Sequence, residues 1–164
     1  ETKEVGLKTS LDTNGSRPEI VERLISEGIL DHLAMDIKAR PEPESYSKAI
    51  GLPEDLAETY LKAIIRTLSM AVRLLSFVEI RTTYVPGIVD ENDIISIARF
   101  LSEYLQGPRH YYVIQQFVPN KNAPDERYRS GGLIGLEKLI MIAKKARKIL
   151  PRVAVRHIGG VEYL

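Results

Sequence analysis

The sequence predicts an α/β domain, an open, partial (β/α) barrel of about four parallel units. Three observations predict it. Apolar strand-like runs and amphipathic helical runs alternate four times, the pattern of parallel strands joined by right-handed crossover helices. The chain has 164 residues and 44% apolar content, enough for one core. That length falls short of the roughly 200 residues an eight-unit barrel needs. Two of the strand-like runs finish on acidic residues, at the end where such sheets collect their ligands. No linker or low-complexity segment interrupts residues 1–164, so a single domain is expected.

Taken in order, Val5 to Leu11 reads as a strand ending at Asp12, and Asn14-Gly15 turns the chain. Ser16-Arg17-Pro18-Glu19 predicts a capping box with an early proline, and Ile20, Val21, Leu24 and Ile25 have helical spacing up to Gly28. Leu30 to Ile37 is the second strand. An irregular acidic stretch carrying Tyr46 runs from Pro41 to about Pro53. The longest helix spans roughly Glu54 to Leu75, with Leu56, Tyr60, Ile64, Leu68, Val72 and Leu75 as its apolar stripe. Phe77 to Val85 is a third strand, broken by Pro86-Gly87. Asp90-Glu91-Asn92-Asp93 suits a helix N-terminus, and that helix stops near Gly107-Pro108. Tyr111 to Phe117 is the fourth strand. A polar loop from Pro119 to Gly132, a basic amphipathic helix from Leu133 to Leu150 and a last strand over Arg152 to Arg156 complete the reading.

Composition narrows the function. Lys and Arg number 23 against 22 Asp and Glu, so nothing in the net charge favours nucleic acid or an anionic membrane. No apolar run could span a bilayer, and Glu1-Thr2-Lys3-Glu4 is unlike a signal peptide, so a soluble cytoplasmic protein is expected. The cysteine count is zero, which excludes disulfides and any thiolate-held metal or iron–sulfur cluster on this chain.

The candidate chemistry sits at strand ends. Asp12 and Asp36 belong at the same end of neighbouring strands, where two unpaired carboxylates would repel until a cation or a ligand ammonium relieved them. Thr13 and backbone carbonyls add oxygen ligands of the hard kind. Lys38 can pair with a ligand carboxylate or with Asp36. Along the third strand Glu79, Arg81 and Thr83 alternate to one face and Ile80, Thr82 and Tyr84 to the other. Arg81 is then a substrate anchor, or the partner of Glu79 or of an upstream acid. Gln115 and Gln116 offer amides for a nucleoside or peptide, or a structural hydrogen bond. His32, His110 and His157 lack metal-ligand spacing and read as surface or cap residues. The run Lys144-Lys145-Ala146-Arg147-Lys148 reads as a solvated helix face.

Four motifs in order carry a family resemblance: Lys8-x-x-Leu11-Asp12-Thr13-Asn14-Gly15, Met35-Asp36-Ile37-Lys38-Ala39, Glu79-Ile80-Arg81-Thr82-Thr83-Tyr84-Val85-Pro86-Gly87, and Gln115-Gln116-Phe117-x-Pro119-Asn120. Together they resemble the radical S-adenosylmethionine (SAM) superfamily, and within it the activases of glycyl-radical enzymes. These activate pyruvate formate-lyase or the anaerobic ribonucleoside-triphosphate reductase. The Arg-Thr-Thr and Gln-Gln-Phe strands are most similar to the reductase-activating subgroup. The resemblance covers Gly6 to about Arg156.

The resemblance implies a six-unit partial barrel whose first unit holds a [4Fe-4S] cluster on three cysteines and whose second carries a Gly-Gly-Glu segment at the SAM amino group. Neither signature is present, so this chain resembles units three to six, the C-terminal part of an activase, and is expected to be inactive alone. By position, the resemblance implies SAM-binding roles for Asp12, Thr13, Asp36, Lys38 and Arg81, with a monovalent cation among Asp12, Thr13 and Asp36. Some activases carry a histidine after the last of these strands; Val118-Pro119-Asn120 stands here, and Asn120 is the expected polar contact. No catalytic residue is assigned within the chain. The implied activity is an oxidoreductase reaction: one-electron cleavage of SAM, then hydrogen abstraction from a glycine of a partner, pyruvate formate-lyase-like or an anaerobic ribonucleotide reductase. One alternative is a nucleoside- or protein-binding module without the cluster. Another is an aldolase-like use of Lys38 as a Schiff base. An open sheet edge also predicts self-association.

Overall fold

The computed structural model describes residues 3–123, 125–130 and 133–164; Pro124, Gly131 and Gly132 of the expected polar loop, and Glu1 and Thr2 of the charged start, lie outside the described residues. Strands and helices run β1 (Ser10–Thr13), α1 (Pro18–Ser26), β2 (His32–Asp36), α2 (Pro43–Ile50), α3 (Glu54–Leu74), β3 (Phe77–Tyr84), α4 (Glu91–Leu101), β4 (Tyr111–Gln116), α5 (Leu136–Ala146), β5 (Val153–His157) and β6 (Gly160–Tyr163). A 3₁₀ turn, Glu126–Tyr128, sits between β4 and α5. One sheet contains all six strands in chain order. The first five are parallel, and β6 folds back antiparallel to β5. This is an open partial β/α barrel, as the alternation predicts.

The two faces of the sheet differ in chemistry. Leu33 and Met35 of β2, Val78, Ile80 and Tyr84 of β3, Tyr112 and Ile114 of β4, and Val153 and Val155 of β5 join the buried residues of the helices in one apolar cluster. Residues at the alternate positions point the other way. They include Asp12, Ala34, Asp36, Glu79, Arg81, Thr83, Tyr111, Val113, Gln115, Ala154 and Arg156, aligned across the strands by the pairing register. The alternation expected along β3 is therefore present, with its even-numbered residues buried.

Several local expectations need correction. Ser16 does not cap α1: its hydroxyl donates to Asn14 Oδ1, and the helix starts from Arg17 with Pro18 in the first turn. The capping box forms instead at α4, where Asp90 accepts from the Asp93 N–H and Asp93 accepts from the Asp90 N–H. The stretch from Pro41 to Pro53, expected to be irregular, contains α2, opened by Pro43 and closed by Gly51 in the left-handed conformation at φ 68°. In α3 the packed stripe is Ala57, Leu61, Ile64, Leu68 and Ala71, while Leu56 and Tyr60 are exposed. A row stepping by four drifts around a helix of 3.6 residues per turn, so the first two residues of the expected stripe miss the core, while Ile64, Leu68 and Leu75 are buried in it and Val72 packs against it. The hairpin β5–β6 extends the sheet beyond the expected last strand. The first strand is short, Val5 and Leu7 lying exposed before it.

Candidate functional site

The chain crosses from β1 to α1 through a turn built for close approach. Gly15 has φ 75°, and a Cβ there would stand 2.5 Å from Met35 Sδ. The Gly15 carbonyl accepts from the buried Thr67 hydroxyl of α3 at 2.7 Å. This turn fixes where β1 ends, one residue past Asp12. Residue Asp36 ends β2, and the register places it opposite Arg81 of β3. Side chains two apart on a strand share a face, so Asp12, Asp36 and Arg81 meet on the polar face.

They form one chain of ion pairs. Arg81 Nη1 donates to Asp12 Oδ2 at 2.8 Å, and its Nε donates to Asp36 Oδ1 at 2.9 Å. Lys38 Nζ continues the chain to Asp36 Oδ2 at 2.6 Å. The Arg81 side chain is only 11% exposed, Asp36 24%, Lys38 45% and Asp12 68%, so the network runs from a covered centre to an open rim. Burial by itself would depress Arg81, but the hydrogen bonds it donates to the two carboxylates outweigh it and hold the guanidinium above its ordinary value. The carboxylates are thus not unpaired, as the strand-end reading had them: Arg81 already neutralises the repulsion that a cation was expected to relieve. Of the partners left open for Arg81, the structure selects the upstream acids.

Two anionic and two cationic groups in one row suit a zwitterion. A ligand carboxylate can exchange onto Lys38 or Arg81 while its ammonium takes an aspartate oxygen. Thr13 lies elsewhere: it alternates with Asp12 and its hydroxyl accepts from the Gly15 N–H, within the turn. Asn120 is exposed in the loop after β4, where its Oδ1 accepts from the Asn122 N–H. The network thus gathers Asp12, Asp36, Lys38 and Arg81 but neither Thr13 nor Asn120. Among the described residues, no three His, Cys, Asp or Glu side chains gather into a metal-holding group.

Sequence reasoning missed Arg156. It pairs with Glu79 at 2.8 Å, giving the polar face a second acid–base pair. Alternation in Val153–His157 was the available signal, since it puts Arg156 level with Thr83 and Gln115. Below the charges lies an aromatic floor. His32 stacks on Phe77 at 4.6 Å between centroids, Phe77 meets Tyr111 at 6.1 Å, and Tyr111 meets Tyr163 at 5.4 Å. Gln116 takes its structural reading: its amide donates to Ile134 O, and its oxygen accepts from the Ile158 N–H.

The remaining histidines serve the scaffold. Nδ1 of His110 accepts from the Val78 N–H at 3.1 Å, and His110 is buried rather than at the surface. No helix among the described residues is long and apolar enough to cross a membrane.

No family model matches the sequence. A Methanocaldococcus jannaschii protein named "Putative glycyl-radical enzyme activating enzyme MJ1227" is 34% identical over 158 residues. The alignment covers 96% of this chain, and the chain spans 62% of that relative's length. The relative's name agrees with the motif resemblance at the level of glycyl-radical activases as a whole.

Proposed function

We propose that this chain is the SAM-gripping part of a glycyl-radical-enzyme activase. The observation that carries the reading is the Asp12–Arg81–Asp36–Lys38 row at the strand ends, in a chain 34% identical to a relative of that name. Lys38 and Arg81 bind the methionyl carboxylate of SAM; Asp12 and Asp36 orient its ammonium and ribose hydroxyls. Radical SAM chemistry supplies a 5′-deoxyadenosyl radical when SAM is bound beside a reduced [4Fe-4S] cluster. With zero cysteines this chain does not hold that cluster. The chain's own work is to fix one end of SAM and to form one wall of the cavity in which water is excluded. The partner is a glycyl-radical enzyme, and the isolated 164 residues are inactive alone.

The test uses the complete gene product, purified without oxygen and reconstituted with iron and sulfide. Formation of 5′-deoxyadenosine from SAM under reduction is the expected result. Asp36→Ala and Lys38→Ala each raise the KM for SAM by about tenfold or more, the loss of one charge-assisted contact. Absence of any product from the reconstituted parent would leave a nucleoside- or protein-binding module, the reading that a cysteine-free chain also suits.

A further inference from the structure

Resting on the reading that Asp36 and Lys38 grip an amino-acid headgroup, we propose that Tyr46 is the positioning residue of that grip. β2 ends at Asp36, so the next two residues leave the sheet and their backbone groups need other partners. The Ile37 N–H donates to Arg81 O at 2.8 Å, and Ile37 O accepts from the buried Thr82 hydroxyl at 2.9 Å. The Lys38 N–H donates to Tyr46 Oη at 3.2 Å. A further fastening follows at Arg40, whose guanidinium pairs with Asp93 at 2.7 Å, on the same carboxyl group that caps α4. The corner Asp36-Ile37-Lys38 is therefore tied to α2 and β3, and Arg40 ties the following residues to α4.

Tyr46 is the tie that reaches Lys38 itself. Its ring is 1% exposed and packs in the core, so a phenylalanine would fill the same space. Burial, with Asp36 nearby, pushes the phenol up to about 12, so it stays a neutral hydroxyl throughout the working range. The hydroxyl fixes the peptide plane from which Lys38 departs, while Lys38 Nζ fixes an Asp36 oxygen. Loss of the hydroxyl lets that plane turn and moves both charges relative to Arg81. A short helix that the sequence hides thus aims the headgroup contacts without touching ligand.

The experiment compares two probes on the complete gene product: S-adenosylhomocysteine, which has the amino-acid headgroup, and 5′-methylthioadenosine, which lacks it. Tyr46→Phe is expected to weaken S-adenosylhomocysteine about five- to twentyfold, a small misplacement of binding groups, with 5′-methylthioadenosine unchanged. Thr82→Val shows the same selective loss and Thr82→Ser restores binding; this pair carries the test if Tyr46→Phe does not fold. Equal weakening of both probes, or a homocysteine-probe affinity within about twofold of the parent, would overturn the positioning role. A parent protein that binds neither probe would remove the functional reading, and the inference with it.

Discussion

At the scale of residues, the Arg81 network separates a covered charge from an open one. Arg81→Met strands the half-buried Asp36 without its guanidinium, and urea melts should show a loss of about 2 kcal/mol. Asp12→Asn, at the solvent end, should cost no more than about 0.5 kcal/mol. Equal losses from the two variants would contradict the gradient of burial. His110 adds a pH dependence. Burial chiefly, with Arg109 beside it, holds its imidazole below the usual histidine range, and Nδ1 must be unprotonated to accept from Val78. His32 is depressed likewise by burial, against the pull of Glu79 and Asp12. For a histidine lowered on folding, the unfolded chain binds the proton first. The stability is therefore whole above the ordinary histidine value near 6.5 and drains as the pH falls toward the lowered folded value. Urea midpoints should drop between about pH 7 and 5, and His110→Asn, which keeps an acceptor but does not titrate, should flatten the slope. At this scale the sequence was only half legible. Alternation put Arg81 and the two aspartates on one face, but the choice between Glu79 and the upstream acids depends on contacts 45 and 69 positions apart. Local spacing carries no information about those.

At the scale of elements, what could be read follows from how long each periodic pattern runs. α3 has 21 residues and announces itself, whereas α2 has eight, two prolines at or near its start and one buried residue, Tyr46. Too few turns exist there for a 3.6-residue period to show, and Pro43 reads equally as a loop or a first helical turn. β6 is illegible for a similar reason: four exposed residues, the first of them the second glycine of a pair, are too few for a two-residue period to show. Caps follow the same logic: the Ser16 hydroxyl donates to a competing acceptor, Asn14, while the Asp90 and Asp93 carboxylates each accept from the other's N–H. The α4 cap holds more than its own helix. Asp93→Ala removes the acceptor for the Asp90 N–H and the partner of Arg40, and should cost about 2 kcal/mol in urea unfolding. Asp90→Ala removes a cap alone and should cost about 1 kcal/mol. A reversed order would show that the Arg40 contact adds nothing.

At the scale of the whole molecule, the parallel run β1 to β5 has two unlike edges. One is finished by β6, a short antiparallel strand made by the hairpin turn at Ile158-Gly159. At the other, β1 has β2 on one side and no strand partner on the other among the described residues. Its four residues include exposed Ser10 and Asp12, and the exposed Val5 and Leu7 precede them. Unpaired backbone donors and acceptors on such an edge are a template for another strand. The chain spans 62% of its M. jannaschii relative, so in a protein of that length further residues are available to cover this edge. In the isolated 164 residues a second copy is the nearest source of strand, and the weight-average sedimentation coefficient should rise with concentration. Ser10→Lys places a charge at an exposed position of the edge strand and should shift that curve back toward the monomer. Its own cost is small, since Ser10 gives up only a hydroxyl contact with His32. Strictly monomeric sedimentation of the parent at the highest attainable concentration would mean that the edge is protected, by its shortness and by Asp12, without any partner. Covering residues would then act on the ligand site rather than on the stability of the sheet.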